Sequence, residues 1–118
     1  MQSRITFTIG LDINRNGMDI PSHEQDIIAR RLEHYMSDNF GGATFLVGRG
    51  VWNGGPSNST VSERILHIIV DLWMGNLAEI QNHAQNLALL AEQNSVHMSM
   101  AAMYAVNVSN DGVITDGS

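Results

Sequence analysis

The stretch from Gly41 to Leu72 constrains the fold more than any other part of the chain, because it holds two apolar runs separated by a polar loop. The runs predict two strands, Ala43 to Val51 and Val61 to Leu72, and the loop between them is too long for a tight turn. Ordering such a loop costs backbone entropy that its few apolar residues do not recover. Since long loops in compact domains are usually functional, we expect a ligand site here.

The composition predicts one globular domain over residues 1–118. An apolar content of 43% suffices for a single core, and the length leaves no room for a second domain. The chain has neither cysteine nor lysine, which excludes disulfides, thiolate sites and Schiff-base chemistry. No apolar run reaches the roughly 20 residues of a membrane span, and the first residues lack a secretory pattern, so we expect a cytoplasmic protein without a membrane partner.

The charge balance favours a cationic partner. The formal net charge is −6, and the six basic residues are arginines that never cluster beyond a pair. A patch that follows a phosphate backbone is therefore not expected, and nucleic acid is not a predicted partner. An acidic surface raises the local concentration of cations, although the same acidity also serves solubility alone.

The first third of the chain predicts a strand and a helix. Apolar residues alternate with polar ones from Arg4 to Ile13, which is the period of a strand with one buried face. A polar turn is expected from Asn14 to Ile20. Ser22 and Gln25 then form a capping box, and the helix that follows is expected to end at Gly41 and Gly42.

The second half predicts another helix and strand. Asn76 with Glu79 forms a second capping box, followed by an apolar stripe at helical spacing. Val96 to Val108 alternates again and predicts a long fourth strand. A turn at 110–112 precedes Val113 and Ile114, which are expected to form a short last strand.

The order strand, helix, strand, strand, helix, strand predicts a ferredoxin-like α+β domain with a core over about residues 4–108 and a C-terminal hairpin or tail over 109–118. Right-handed crossovers place both helices on one face of an antiparallel sheet, with the first and third strands central. The other face is too apolar for open water, so we expect a homo-oligomer with ring symmetry that packs these faces together, with a monomer as the alternative. That face includes Ile65, His67, Ile69, Ser99, Ala101, Met103 and Ala105.

Neither a metal nor a cofactor is expected. The helical histidines stand singly, and His67 and His97 are predicted on strands about 9 to 10 Å apart, too far for a shared zinc. No serine lies in a nucleophile signature such as G-x-S-x-G. The glycines near residue 50 lack the lysine and the helix of a phosphate-binding loop.

Two residues at the loop are candidates for ligand binding. Trp52 is either a stacking platform for a purine or an apolar plug in an oligomer interface. Glu63, where the loop re-enters the sheet, is either an acid paired with Arg64 or Arg49, or a carboxylate that binds the ligand.

The residues around this loop resemble those of phage-encoded S-adenosylmethionine lyases, long called S-adenosylmethionine hydrolases. In that family an aromatic residue follows a glycine at the end of the second strand, and a glutamate opens the third strand eleven positions later. Gly50, Val51, Trp52 and Glu63 reproduce this spacing, and the pair Glu92–Gln93 matches a second motif. Trp52 departs from the family, which has a tyrosine at this position. The change matters because an indole N–H donates a hydrogen bond but cannot accept one, as a tyrosine hydroxyl can.

The resemblance implies an enzyme that cleaves S-adenosylmethionine. The substrate's own carboxylate attacks its γ-carbon and releases 5′-methylthioadenosine and homoserine lactone, which depletes the methyl donor of an infected host. Glu63 is then expected to hold the ammonium group or a hydroxyl, with Trp52 packing on the substrate. Gln93 is expected to provide an amide contact near the subunit boundary, and backbone groups from Gly48 to Gly50 to bind the adenine edge. The expected substrate-binding residues are thus Gly48, Arg49, Gly50, Val51 and Gln93. We expect a trimer with a ligand cleft between subunits, formed by the loop from Gly50 to Glu63.

Two other functions stay open. The same fold supports sensors that resemble PII signalling proteins, trimers that bind adenine nucleotides between subunits without cleaving them. A purely structural oligomer is the third alternative, and it predicts that no adenine compound raises the melting temperature.

Overall fold

A computed structural model describes residues 2–53, 60–73 and 77–116, and for Trp52, Asn53, Thr60 and Asp116 it describes the backbone alone. The loop residues 54–59 and the predicted cap at Asn76 lie outside the described residues. In chain order, the elements are β1 (Gln2–Gly10), α1 (Ser22–Phe40), β2 (Thr44–Asn53), β3 (Thr60–Trp73), α2 (Leu77–Leu90), β4 (His97–Met103), β5 (Val106–Val108) and β6 (Ile114–Asp116).

Four strands form one antiparallel sheet in the order β2-β3-β1-β4. The central positions of β1 and β3 agree with the prediction, as does the α+β class. β5 and β6 pair with each other in a separate two-stranded sheet. No helix among the described residues is long and apolar enough to cross a membrane.

The core lies between one face of the sheet and the two helices. The inward positions of the central strands, Ile5 and Phe7 on β1 and Ile68 on β3, are fully buried. They pack in one cluster with the apolar stripes of α1 and α2. That cluster includes Ile28, Leu32 and Met36 of α1 and Ile80 and Leu87 of α2. Leu77, predicted on the buried stripe of α2, is instead half exposed.

The opposite surface of the sheet, called here the open face, carries no helix of the described part of the chain. It presents Thr6 and Thr8 of β1 with His67 and Ile69 of β3, and the side chains on β3 are only partly covered. The prediction that both faces of β3 are buried is therefore confirmed, within a single chain, only for the face that packs on the helices. That another copy of the chain covers the open face stays a prediction.

β1 ends three residues earlier than expected. The alternation continues to Ile13, but the carbonyl of Asp12 accepts a hydrogen bond from Ile20 at 2.7 Å instead of from a neighbouring strand. An isolated bridge joins Ile13 to Asp19, and Asn14 accepts two backbone N–H groups with its side chain. The N–H of Leu11 still donates to the carbonyl of Arg64 on β3 at 3.0 Å, and beyond it the chain closes a local loop and leaves the sheet.

The capping box predicted for α1 is wrong. Pro21 is the N-cap and no side chain caps the helix. Gln25 is drawn inward instead, where its amide group donates to the carbonyl of Ile20 at 2.8 Å and its oxygen accepts from Arg64. The predicted end is confirmed, because Gly41 adopts a left-handed conformation that favours glycine.

The long fourth strand is wrong beyond Met103. The pairing between β1 and β4 ends where Met103 meets Gln2, and the next residue, Tyr104, is almost fully exposed. Val106–Val108 pairs with Ile114–Asp116 instead, through a turn in which Ser109 accepts from the N–H of Val113. Alternation alone does not distinguish one long strand from two short ones.

Candidate functional site

Glu63 lies on the open face, at the end of the sheet where the chain leaves β1. On β3 it is directly opposite Gly50 of β2, and its side chain extends over Gly10 of β1 on the other side. A Cβ atom at Gly10 would overlap a carboxylate oxygen of Glu63 and lie 3.2 Å from the amide oxygen of Gln93. Glycine at this position therefore lets the two side chains meet over the strand.

Gln93 is held in place by the end of α2. Its backbone N–H donates to Ala88 at 2.9 Å, and its side-chain amide donates to the carbonyl of Ile13 at 2.8 Å. The preceding residue, Glu92, has a left-handed φ of 56°, and its carbonyl accepts from Arg15 at 2.8 Å. These bonds join the segment after α2 to the loop after β1, so both sides of the site are tied together.

The cleft beside Glu63, called here the Glu63 cleft, has a volume of about 310 Å³. One wall is the loop of Ile13, Asn14 and Arg15, and the other is Gln93 to Ser95, with Val61 and Glu63 of β3 between them. Pockets for small ligands span roughly 300 to 1,000 Å³. The cleft is therefore large enough for part of a nucleoside-sized molecule.

Glu63 is an acid for which the described part of the chain provides no cation. Burial raises the pKa of its carboxyl group, and the negative charge of Asp12 raises that pKa further. Neither arginine considered as its partner takes that role, because Arg64 donates to Gln25 and Arg49 donates to Ser62. Within the described residues, the carboxylate of Glu63 has no ion-pair partner, which favours its second interpretation as a ligand-binding group.

Asp12 is a site residue that sequence reasoning missed. One carboxylate oxygen accepts from the backbone N–H of Arg64 at 2.9 Å, and the other is buried with no hydrogen-bond partner in the part of the chain that the structure describes. The sequence contained a signal for Asp12, namely its position in the strand register. When the pairing of β1 with β3 is continued beyond Gly10 and Ile65, Asp12 falls opposite Glu63. That signal could be used only after the alignment of β1 with β3 was known.

The other predicted site residues fall on two sides of the sheet. Gly50 is directly opposite Glu63, and the backbone of Trp52 pairs with Val61. Gly48 and Arg49 border a second cleft of about 460 Å³, which lies on the helix side. Val51 alternates with Gly50 and is mostly exposed. Within one chain, the structure thus brings Gln93 and Glu63 together but leaves Arg49 on the far side of the β2–β3 ribbon.

The histidine pair lies as predicted across the first strand. Thr8 is opposite both His67 and His97, and its hydroxyl is 3.0 Å from Nδ1 of His67. Among the residues that the structure describes, no three acidic, histidine or cysteine side chains converge to hold a metal ion.

No family model matches the chain, and no curated protein does. Two solved structures share its fold. One is a phage S-adenosylmethionine lyase in complex with S-methyl-5′-thioadenosine, with a TM-score of 0.55 and 19% identity over 98% of this chain and 85% of that chain. The other is a phage S-adenosylmethionine lyase in the apo state, with a TM-score of 0.55 and 16% identity over 97% of this chain and 84% of that one. The resemblance found in the sequence is thereby confirmed for the fold.

Proposed function

We propose that this protein is an S-adenosylmethionine lyase that adopts the ferredoxin-like arrangement. The observation that carries the proposal is the carboxylate of Glu63, which lies over Gly10 beside Gln93 in an open cleft and has no ion-pair partner among the residues that the structure describes. The fold is shared with a phage lyase whose structure contains S-methyl-5′-thioadenosine. S-adenosylmethionine carries an ammonium group and a sulfonium, so its positive charge is complementary to the acidic residues of this cleft.

The proposed reaction needs no nucleophile from the protein. An oxygen of the substrate's carboxylate forms a bond to its own γ-carbon while the bond from that carbon to sulfur breaks. The electron pair goes to sulfur, the sulfonium charge disappears, and no proton moves. The products are 5′-methylthioadenosine and homoserine lactone, and the protein's task is to hold the reacting atoms close together.

Glu63 binds the α-ammonium group in this proposal. Its carboxylate is partly removed from water and lies near Asp12, so a cation brought there takes the place of an ion-pair partner that the described residues do not provide. The interaction should be strong because both acids gain from the same positive charge. Leaving the sulfonium itself poorly solvated favours its disappearance in the transition state, whereas binding it tightly would not.

The remaining site residues complete the substrate contacts in the proposal. Gln93 provides its amide oxygen, and Trp52 packs on the substrate. Backbone groups from Gly48 to Gly50 meet the adenine edge. Arg49 and Val51 lie on the helix side of the sheet, so they do not line the Glu63 cleft of their own chain.

A ring-shaped trimer is part of the proposal. Its support is the open face, where side chains such as Ile69 are only partly covered, and the modest volume of the Glu63 cleft. A neighbouring copy packed against the open face would enlarge and close the cleft, which excludes water from the reaction. In a phage-infected cell, the activity would deplete the methyl donor of host restriction systems, and it would act in the host cytoplasm.

A second candidate is a binder of adenine compounds without catalysis, similar to PII signalling proteins. The observation that favours it is Trp52, which stands where the lyases have a tyrosine. An indole N–H cannot accept a hydrogen bond, so a step that depends on the hydroxyl would fail while stacking survives.

The test is a product assay with purified protein and S-adenosylmethionine. We expect mass spectrometry to detect methylthioadenosine and homoserine lactone in equal amounts. Heat-denatured protein provides the control for spontaneous breakdown of the substrate. Tight binding without either product would replace the lyase with the PII-like binder, and the absence of binding would remove both functions.

A further inference from the structure

The second cleft holds an unusual pair of like charges. Arg49 of β2 and Arg64 of β3 are directly opposite one another in the register, on the helix side of the sheet. Like charges placed opposite across two strands destabilise a sheet. Two of the six basic residues of a chain with a net charge of −6 nevertheless occupy this one position.

Both guanidinium groups are held in place by neutral partners. Arg64 donates to the side-chain oxygen of Gln25 at 2.8 Å, and Gln25 is more than nine-tenths buried. Arg49 donates to the hydroxyl of Ser62. Each group has five N–H donors in a fixed fork, and the partners among the described residues leave several of these donors for a ligand. Within the described residues, neither arginine forms an ion pair with a carboxylate.

Around the pair is a cleft of about 460 Å³. Its floor includes Val47, whose side chain is 58% exposed, and the backbone of Gly48. Asp12 also borders the cleft, and its negative charge would repel an anion. However, one of its carboxylate oxygens accepts a hydrogen bond from the backbone N–H of Arg64, and the other is buried. The positively charged and apolar surfaces therefore lie side by side.

We propose that this cleft, called here the arginine cleft, binds a phosphate group carried by a small molecule with an apolar or aromatic part. A carboxylate has two oxygens, which one guanidinium fork satisfies. A phosphate group has three oxygens free to accept and more negative charge, so it can engage two forks at once. The apolar floor beside the arginines accommodates the remainder of the molecule.

The experiment titrates the whole protein at low ionic strength with inorganic phosphate, phenyl phosphate and acetate, and follows the side-chain N–H signals of the arginines by NMR. We expect phosphate to shift the signals of Arg49 and Arg64, phenyl phosphate to bind more tightly, and acetate to bind at least about tenfold more weakly. Equal binding of acetate, or signals unmoved by millimolar phosphate, would overturn the proposal.

Three variants test the assignment. Arg49→Gln removes one fork, and Arg64→Lys keeps the charge but loses the planar geometry, so each should weaken phosphate binding at least about tenfold. Arg30→Gln removes a charge from the exposed side of α1 and should leave the affinity unchanged. Equal weakening by Arg30→Gln would show that only the net charge matters.

The outcome is independent of the lyase proposal. Glu63→Gln acts on the open face and should leave phosphate binding in place even where it removes binding of S-adenosylmethionine. Loss of phosphate binding in Glu63→Gln, with the fold intact by circular dichroism, would show that the two clefts are one site.

Discussion

Each end of the open face has one acidic residue of β3, and the two residues differ in whether a cation pairs with them. At one end, Asp71 is opposite Arg4, and the guanidinium donates to both carboxylate oxygens at 2.9 and 3.0 Å. At the other end, Glu63 extends over Gly10 and faces a second acid, Asp12, with no cation paired to it among the described residues.

The pKa values follow this difference. The hydrogen bond from Arg4 lowers the pKa of Asp71, whereas burial and the charge of Asp12 raise the pKa of Glu63. An exposed ion pair contributes little to stability, but its carboxylate already has a cationic partner and does not need one from a ligand. An unpaired acid in a cleft costs stability, and a cationic ligand recovers that cost on binding. The comparison therefore identifies the end at which chemistry is expected.

The largest expected effect comes from removing the charge of Glu63. Glu63→Gln should weaken binding of S-adenosylmethionine about 10- to 100-fold, because a charge-assisted hydrogen bond to the ammonium group is lost. Calorimetric titration measures the affinity, and the product assay measures turnover. Asp71→Asn is the matched control on the same strand and face, and it should change neither. Unaltered turnover in Glu63→Gln would remove Glu63 from the mechanism.

A smaller effect is expected from filling the space over β1. In Gly10→Ala, the new Cβ displaces the flexible end of Glu63, so the ligand should bind about tenfold more weakly. The melting temperature should change little, because the displaced atoms are the mobile end of a side chain. Affinity equal to that of the wild type would show that the position of Glu63 over Gly10 is not required for binding.

Gln93→Met tests the amide contact while keeping the length of the side chain. It removes the donor to Ile13 and the amide oxygen beside Gly10, and we expect binding to weaken about threefold. Gln85→Met, on the exposed surface of α2, is the control. A result equal to that of Gln85→Met would leave Gln93 outside the binding site.

The smallest effects concern the stability of the fold, and the contributions of Glu63 and Asp71 to it should have opposite signs. Glu63 has a raised folded-state pKa, so stability falls as the pH rises from its unfolded value through its folded value. Asp71 has a lowered pKa, so its contribution appears as the pH rises from its folded value and is complete above its unfolded value.

At neutral pH, Glu63→Gln should therefore raise the melting temperature and Asp71→Asn should lower it, each by a few degrees at most, because both sites are partly solvated. In acid, below the pKa values of both groups, the two differences should vanish. Thermal unfolding followed by circular dichroism measures both. Changes of the same sign at neutral pH would contradict the comparison of the two ends.

The sequence alone determined the order of the elements and the position of Glu63 at the start of β3. These depend on local periodicity, on the glycine at the end of α1 and on a spacing of eleven residues, all of which can be read along the chain. The same local reasoning was wrong at Ser22, where Gln25 turned inward to a tertiary partner. It was also wrong at Tyr104, where alternation continued although β4 had no further pairing with β1.

Only the tertiary structure decided what surrounds Glu63. Gly10 and Asp12 come from the end of β1 and the residues just after it, whereas Gln93 follows α2. Their meeting with Glu63 depends on the pairing of β1 with β3 and on the bond that ties Gln93 to Ile13. The tertiary structure also separated Arg49 from Glu63. Arg49 is opposite Arg64, the neighbour of Glu63, and adjacent strand positions point to opposite faces, so Arg49 lies in a different cleft from Glu63.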